Sequence, residues 1–140
     1  MWSPSPDVYV VDFGQNLAGV VRLSLPAPVP AGAVITMRHG EALMHEPYGA
    51  PTGDIYTGNL RSARATDVYT TAGTTASDYE VFEPIFTYHG FRFIEVTGLP
   101  MVAEAYMFTA VHCRSAVPTA GSSAPARVPP TWSRAARCDP

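Results

Sequence analysis

Gly19-Val20-Val21-Arg22-Leu23-Ser24-Leu25 sets Val21, Leu23 and Leu25 in alternation with Val20, Arg22 and Ser24. Consecutive side chains of a β-strand leave opposite faces, so this period of two puts an apolar row on one side and a mixed row on the other. Such a strand lies half buried, one face on a core and one toward water, as strands of antiparallel sheets do. The same period extends upstream, where Tyr9, Val11 and Phe13 share a face of Val8–Phe13. It recurs downstream in Ala33–His39, with Ile35 and Met37 against Thr36 and Arg38. Further strands are expected over Thr66–Thr71, Glu80–Tyr88, Phe91–Thr97 and Ala103–His112.

Proline and glycine punctuate these runs: Pro26, Pro28, Pro30 and Gly32, then Pro47, Gly49, Pro51 and Gly53, then Gly73, Gly90, Gly98 and Pro100. No segment carries an apolar helical stripe of three turns; Gly40–His45 and Asn59–Ala65 are single turns at most. The pattern predicts an all-β fold, an antiparallel β-sandwich of jelly-roll type over residues 8–112, preceded by an N-terminal extension over residues 1–7. Two packed sheets are expected to bury Val11, Phe13, Val21, Leu23, Ile35, Phe93 and Val96. Pro84 has no N–H to give a ladder, so the Glu80–Tyr88 strand is expected at an edge or a bulge.

At 140 residues the chain suits one domain, and a domain of that size hides about two-thirds of its unfolded surface without metal or disulfide. A composition of 46% hydrophobic and 15% charged residues is globular rather than disordered. The net charge of −3 and the lack of a basic block argue against nucleic acid as a partner. Cys113 and Cys138 are too few for a disulfide framework. No apolar run approaches the ~20 residues of a membrane span, so no membrane association is expected. The start, Met1-Trp2-Ser3-Pro4-Ser5-Pro6-Asp7, lacks the basic and apolar regions of a signal peptide, and a cytoplasmic setting is the expectation.

The last segment differs in kind. Residues 114–140 hold four arginines against one acid, whereas the first 113 residues hold five arginines against eleven acids. Pro118, Pro125, Pro129, Pro130 and Pro140 are set among Ala and Ser with no alternation, so a disordered tail is expected over residues 113–140. All nine basic residues are arginine, a trace of GC-rich coding, and such codons read out of frame yield Arg, Pro, Ala and Ser. The tail is therefore read as out of frame or miscalled.

Four segments stand out: Asp12-Phe13-Gly14-Gln15-Asn16-Leu17-Ala18-Gly19, Arg38-His39-Gly40-Glu41-Ala42-Leu43, Asn59-Leu60-Arg61-Ser62-Ala63-Arg64-Ala65-Thr66-Asp67-Val68-Tyr69, and the stretch Glu83–Val96 with its core Tyr88-His89-Gly90-Phe91-Arg92-Phe93. In this order and spacing they resemble the concanavalin-like β-sandwich domain of bacterial α-L-rhamnosidases of glycoside hydrolase family 78, from about Val8 to His112. Val20 stands where the family often has tryptophan, and Met44–Gly53 looks like a variant loop. The resemblance implies that the partner is a downstream (α/α)6 catalytic barrel, whose carboxylates hydrolyse terminal α-L-rhamnosyl residues with inversion. Nothing in this chain resembles the barrel's acidic motif, and no cofactor is implied.

Glycoside hydrolysis needs two carboxyl groups across a sugar. Glu41, Glu46, Asp54, Asp67, Glu83 and Glu95 are present, but several fall where alternation sends them to solvent, and no catalytic residue is assigned. His39, His45, His89 and His112 show none of the short paired spacings of a zinc site, so structural hydrogen bonding is expected and no metal. Asp12, Gln15 and Asn16 suit turn amides beside Gly14, with an inter-domain or sugar contact as the alternative. Arg61 and Arg64, three apart after Asn59, are expected to brace Asp67 or to meet an acid on a neighbouring domain. Asn59, Tyr88 and His89 are the remaining domain-interface or sugar-contact candidates, although Phe91 and Phe93 alternate as a core face, with Phe86 and Tyr88 paired similarly.

Two functions compete, and a third, an intact minimal glycosidase, is disfavoured because nothing here resembles the barrel. One is an accessory domain that supports the catalytic barrel, inactive by itself; the other is a free-standing carbohydrate-binding module, with a rhamnose-containing carbohydrate as candidate ligand. A free module exposes an aromatic platform, whereas a domain lacking its neighbour exposes an apolar patch.

Overall fold

The computed structural model describes residues 1–75 and 78–115. The reading of residues 113–140 as a tail falls, from residue 116 on, outside the described residues. Among the described residues nine strands follow in order: β1 (Trp2–Ser5), β2 (Val8–Pro26), β3 (Val34–Gly40), β4 (Ala42–Leu43), β5 (Ile55–Tyr56), β6 (Thr66–Thr70), β7 (Tyr79–Phe82), β8 (His89–Thr97) and β9 (Phe108–His112). The described residues hold no α-helix, and single 3₁₀ turns occupy Gly58–Leu60 and Ala105–Met107. The fold is all-β and antiparallel throughout.

The long strand β2 organises the molecule. Its first part lies between β1 and β8, and β8 continues through β3 to β6. Its second part pairs β9 from Gly19 to Leu23 and β7 from Leu23 to Pro26. The expected pair of sheets is thus hydrogen-bonded into one seven-stranded sheet, because β2 belongs to both halves. One core cluster draws from both: Leu23 and Leu25 of β2 and Phe108 of β9 join Ile35 and Met37 of β3 and Val96 of β8. Every residue expected in the core is buried. At roughly 1.5–3 kcal/mol for each fully buried aliphatic or aromatic side chain, this cluster is the main source of stability.

A close approach fixes β9 on β2. A Cβ built on Gly19 would lie 2.0 Å from the Val111 carbonyl oxygen, so only glycine lets the two backbones meet there.

A smaller cluster of Val10, Ile55 and Phe93 lies apart from the main core, with Trp2 and Leu43 packed on it. The two-stranded β4–β5 ribbon contributes to this cluster, and Trp2 ties in by donating its indole N–H to the Gly53 carbonyl at 3.1 Å. The residues before Val8 therefore build a strand that pairs with β2.

Local departures from the sequence pattern have physical causes. The expected strand Glu80–Tyr88 ends at Phe82, and Pro84 lies beyond it. Phe86 adopts φ 61°, in the left-handed region that a strand does not use. Gly40–His45 holds the short strand β4 instead of a helical turn, and the strand expected from Ala103 begins at Phe108. Phe91 and Phe93 are both buried but in different clusters, Phe91 in the main core and Phe93 with Val10 and Ile55. The alternation is broken there by the bulge opposite Arg92.

Candidate functional site

The segment after Asp12 is a bulge. Asp12 is paired with Phe93 and Leu17 with Phe91, so Phe13–Asn16 of β2 are set against Arg92 alone. Gly14 takes φ 80°, and its N–H donates to Asp12 Oδ1 at 2.7 Å, a local turn held by an aspartate side chain. Arg92, the residue opposite the bulge, donates from Nε and an Nη to the two Asp12 oxygens, both at 2.8 Å. The guanidinium bonds hold the Asp12 carboxyl below its ordinary pKa, with the Gly14 N–H adding to the effect and partial burial opposing it. Asp12 is thus engaged both within the turn and across the bulge. Gln15, at the tip, is exposed.

Glu41, just after β3, joins two of the motifs. Asn16 Nδ2 donates to its Oε1 at 2.8 Å, and Asn59 Nδ2 donates to its Oε2 at 2.9 Å. A Cβ on Gly90 would stand 3.7 Å from Glu41 Oε1, so the carboxylate also lies beside the start of β8. All four sequence motifs therefore meet at one place.

The second cluster was not foreseen. His39 is fully buried, its ring stacked on His89 with centroids 4.1 Å apart. Its Nδ1–H donates to the Ala65 carbonyl at 3.0 Å, and its Nε2 faces Asp67 Oδ2 at 3.7 Å. His89 Nε2 donates to Asp67 Oδ1 at 3.0 Å. Burial, reinforced by the neighbouring His89 ring, pushes the His39 imidazole down to about 4, with the Ala65 bond and Asp67 opposing. Asp67, expected on a solvent face or braced by Arg61 or Arg64, is turned inward to the histidines, its side chain 10% exposed. His39 and His45 share no site; the partner of His39 is His89, from another strand. No short sequence spacing signals this cluster, because sheet pairing alone brings its members together.

Arg61 and Arg64 are exposed and make no ion pair among the described residues. Arg61 itself sits at φ 55°, closing the 3₁₀ turn that carries Asn59. Tyr88 was expected to pack in the core with Phe86; instead it is 70% exposed and Phe86 wholly so. Both lie in the loop that leaves β7, beyond the reach of the strand alternation.

The acids weighed for catalysis are mostly engaged within the chain. Glu83 is bonded by Arg22, Glu95 by Arg38 and Asp54 by Thr52, while Glu46 is exposed. An open surface depression of about 620 Å³ is lined by Arg22, Ser24, Asp78, Tyr79, Val81 and Tyr106. Among the described residues its lining holds one carboxyl, Asp78.

The model of the bacterial α-L-rhamnosidase concanavalin-like domain matches residues 3–114. The α-L-rhamnosidase of Streptomyces avermitilis is 50% identical over 97 residues, covering 69% of this chain and 8% of that protein. That of an Alteromonas species is 44% identical over 94 residues, covering 67% of this chain and 9% of that protein. The structure of the α-L-rhamnosidase from Dictyoglumus thermophilum superposes with a TM-score of 0.66 at 40% identity, covering 77% of this chain and 11% of that one. The Streptomyces avermitilis enzyme complexed with L-rhamnose superposes with a TM-score of 0.65 at 46% identity, covering 75% of this chain and 9% of that one. The chain thus spans between 8% and 11% of the length of these relatives. With four motifs converging on one sandwich and the match running almost the whole described length, the chain belongs to the family of bacterial α-L-rhamnosidase concanavalin-like domains.

Proposed function

We propose that this domain is a non-catalytic accessory sandwich that borders the (α/α)6 barrel of an α-L-rhamnosidase, the barrel removing terminal α-L-rhamnosyl residues with inversion. The observation that carries this reading is how the carboxylates are spent. Asp12, Glu41, Asp67, Glu83 and Glu95 each hold together parts of this chain's own fold. Inverting hydrolysis asks instead for an acid and a base held several ångströms apart with room for water between them. Ile85, Phe86 and Tyr88 form an exposed apolar loop that runs into the motif cluster at His89, and we place the barrel contact there. Gln15, Arg61 and Arg64, exposed beside the same motifs, are the polar contacts of that interface.

The test is release of a chromogenic aglycone from an aryl α-L-rhamnoside. The purified chain is expected to give none, and turnover abolished by Glu41→Gln or Asp54→Asn would overturn the proposal. A cytoplasmic setting is part of the same reading, to be checked by cell fractionation; among the described residues no helix is long and apolar enough to cross a membrane.

One feature favours a second reading, a carbohydrate-binding surface. Tyr48, 60% exposed, lies 5.1 Å from the Tyr56 ring, with His45 edge-on to both. Exposed aromatic faces suit the C–H groups of sugar rings. Calorimetric titration with L-rhamnose decides this, with binding lost in Tyr48→Ala as the positive result.

A further inference from the structure

We infer that His39, Asp67 and His89 form a binding site for a divalent transition-metal ion of the zinc class. The three residues come from β3, β6 and β8, and their donor atoms lie within 4.8 Å of one another. His39 Nε2 is 3.7 Å from Asp67 Oδ2, and His89 Nε2 is 3.0 Å from Asp67 Oδ1. Donor atoms of a tetrahedral zinc site stand roughly 3.3 Å apart, given metal–nitrogen distances near 2.0–2.1 Å. The side chains of His39, Asp67 and His89 are 0%, 10% and 12% exposed. The site is therefore almost closed, with Asp67 and His89 each keeping slight exposure and His39 none.

The independent pointer to a ligand is a pair of orphaned atoms. His39 Nε2 and Asp67 Oδ2 are both buried without a hydrogen-bond partner. Because Nδ1–H of His39 is committed to the Ala65 carbonyl, Nε2 presents a lone pair. A lone pair and a carboxylate oxygen then face each other with no donor between them, an arrangement that costs free energy wherever water is excluded. A metal cation satisfies both acceptors at once, and it takes His89 Nε2 as well once that ring carries its proton on Nδ1 in place of giving it to Asp67 Oδ1.

The donor set selects the class. Two imidazoles and one carboxylate suit zinc and its neighbours, whereas calcium and magnesium prefer all-oxygen shells. The Ala65 carbonyl that receives the Nδ1 proton is the kind of outer contact that metal-ligating histidines make. An ion held by three strands would pin β3, β6 and β8 together, and its binding free energy would add to that of folding.

The experiment uses the whole 140-residue chain, stripped with a chelator and titrated with Zn²⁺ alone and with Co²⁺ alone. One Zn²⁺ per chain and a raised thermal midpoint are expected, with Co²⁺ giving the visible bands of a low-coordinate nitrogen-ligated site. Asp67→Asn and His89→Gln should each weaken Zn²⁺ binding by more than about 100-fold. His45→Gln and His112→Gln, which alter exposed histidines outside the cluster, should leave it unchanged. His89 keeps some exposure, unlike the fully buried His39, and its variant decides the matter if Asp67→Asn fails to fold. A folded wild-type chain that takes up no Zn²⁺, binding retained in His89→Gln, or binding lost in His45→Gln or His112→Gln would each overturn the site.

Discussion

Arg92 holds Asp12 by two parallel hydrogen bonds, both 2.8 Å, across the point where β2 carries four residues against one on β8. The bulge would otherwise leave a loose loop in the middle of the longest strand. The fork fixes its base, the Gly14 N–H fixes its turn, and Asn16 is delivered to Glu41 as a result. A polar motif thus earns its place by shaping the strand.

Asp12 makes acid stability pH-dependent. Its carboxyl is held below the ordinary value, so its contribution is fully present above the unfolded pKa and is lost as pH falls through the lower folded one. Urea unfolding of wild type and Asp12→Asn should differ by a constant amount near neutrality. That difference should shrink once the pH drops below about 4, the range in which an unfolded aspartate titrates.

Leu23 is wholly buried between β7 and β9. Leu23→Ala should cost about 2–5 kcal/mol in chemical denaturation. Val81→Ala, on an exposed position of β7, should stay within about 0.5 kcal/mol.

Gly19→Ala tests the β2–β9 contact. A methyl group 2.0 Å from the Val111 carbonyl forces the strands apart, and a loss of about 3 kcal/mol or more is expected. Amide exchange should show β9 released before the rest of the sheet.

Glu41→Gln leaves one acceptor where Asn16 and Asn59 now use two. A loss of about 1 kcal/mol is expected. In a double-mutant cycle, Asn16→Ala and Asn59→Ala should each become milder in the Glu41→Gln background.

The strands were legible wherever one face meets a core, because burial imposes the period of two that Val21, Leu23 and Leu25 display. The pattern failed beyond a strand's end: Phe86 and Tyr88 alternate in sequence, yet a left-handed residue and a proline have already taken the chain out of the sheet. Asp12 was legible as a turn residue because its Gly14 bond is local, whereas its clamp lies 80 residues away. The His39, Asp67 and His89 cluster was illegible for the same reason. Its members meet only through the pairing of β3 with β6 and with β8, which no short spacing encodes.

Strand β2 has a consequence for how the chain is made. Apart from β1, the strands that flank it begin at Tyr79, His89 and Phe108. A chain growing from its N-terminus therefore holds the β8 edge of this strand bare until residue 97 has emerged, and the β9 edge of Gly19–Leu23 until residue 112. Contacts so distant in sequence make folding slow, and an unpaired edge of this length is a template for aggregation. The vulnerable species is the unfinished chain, and whatever shields β2 during synthesis sets the yield of folded domain.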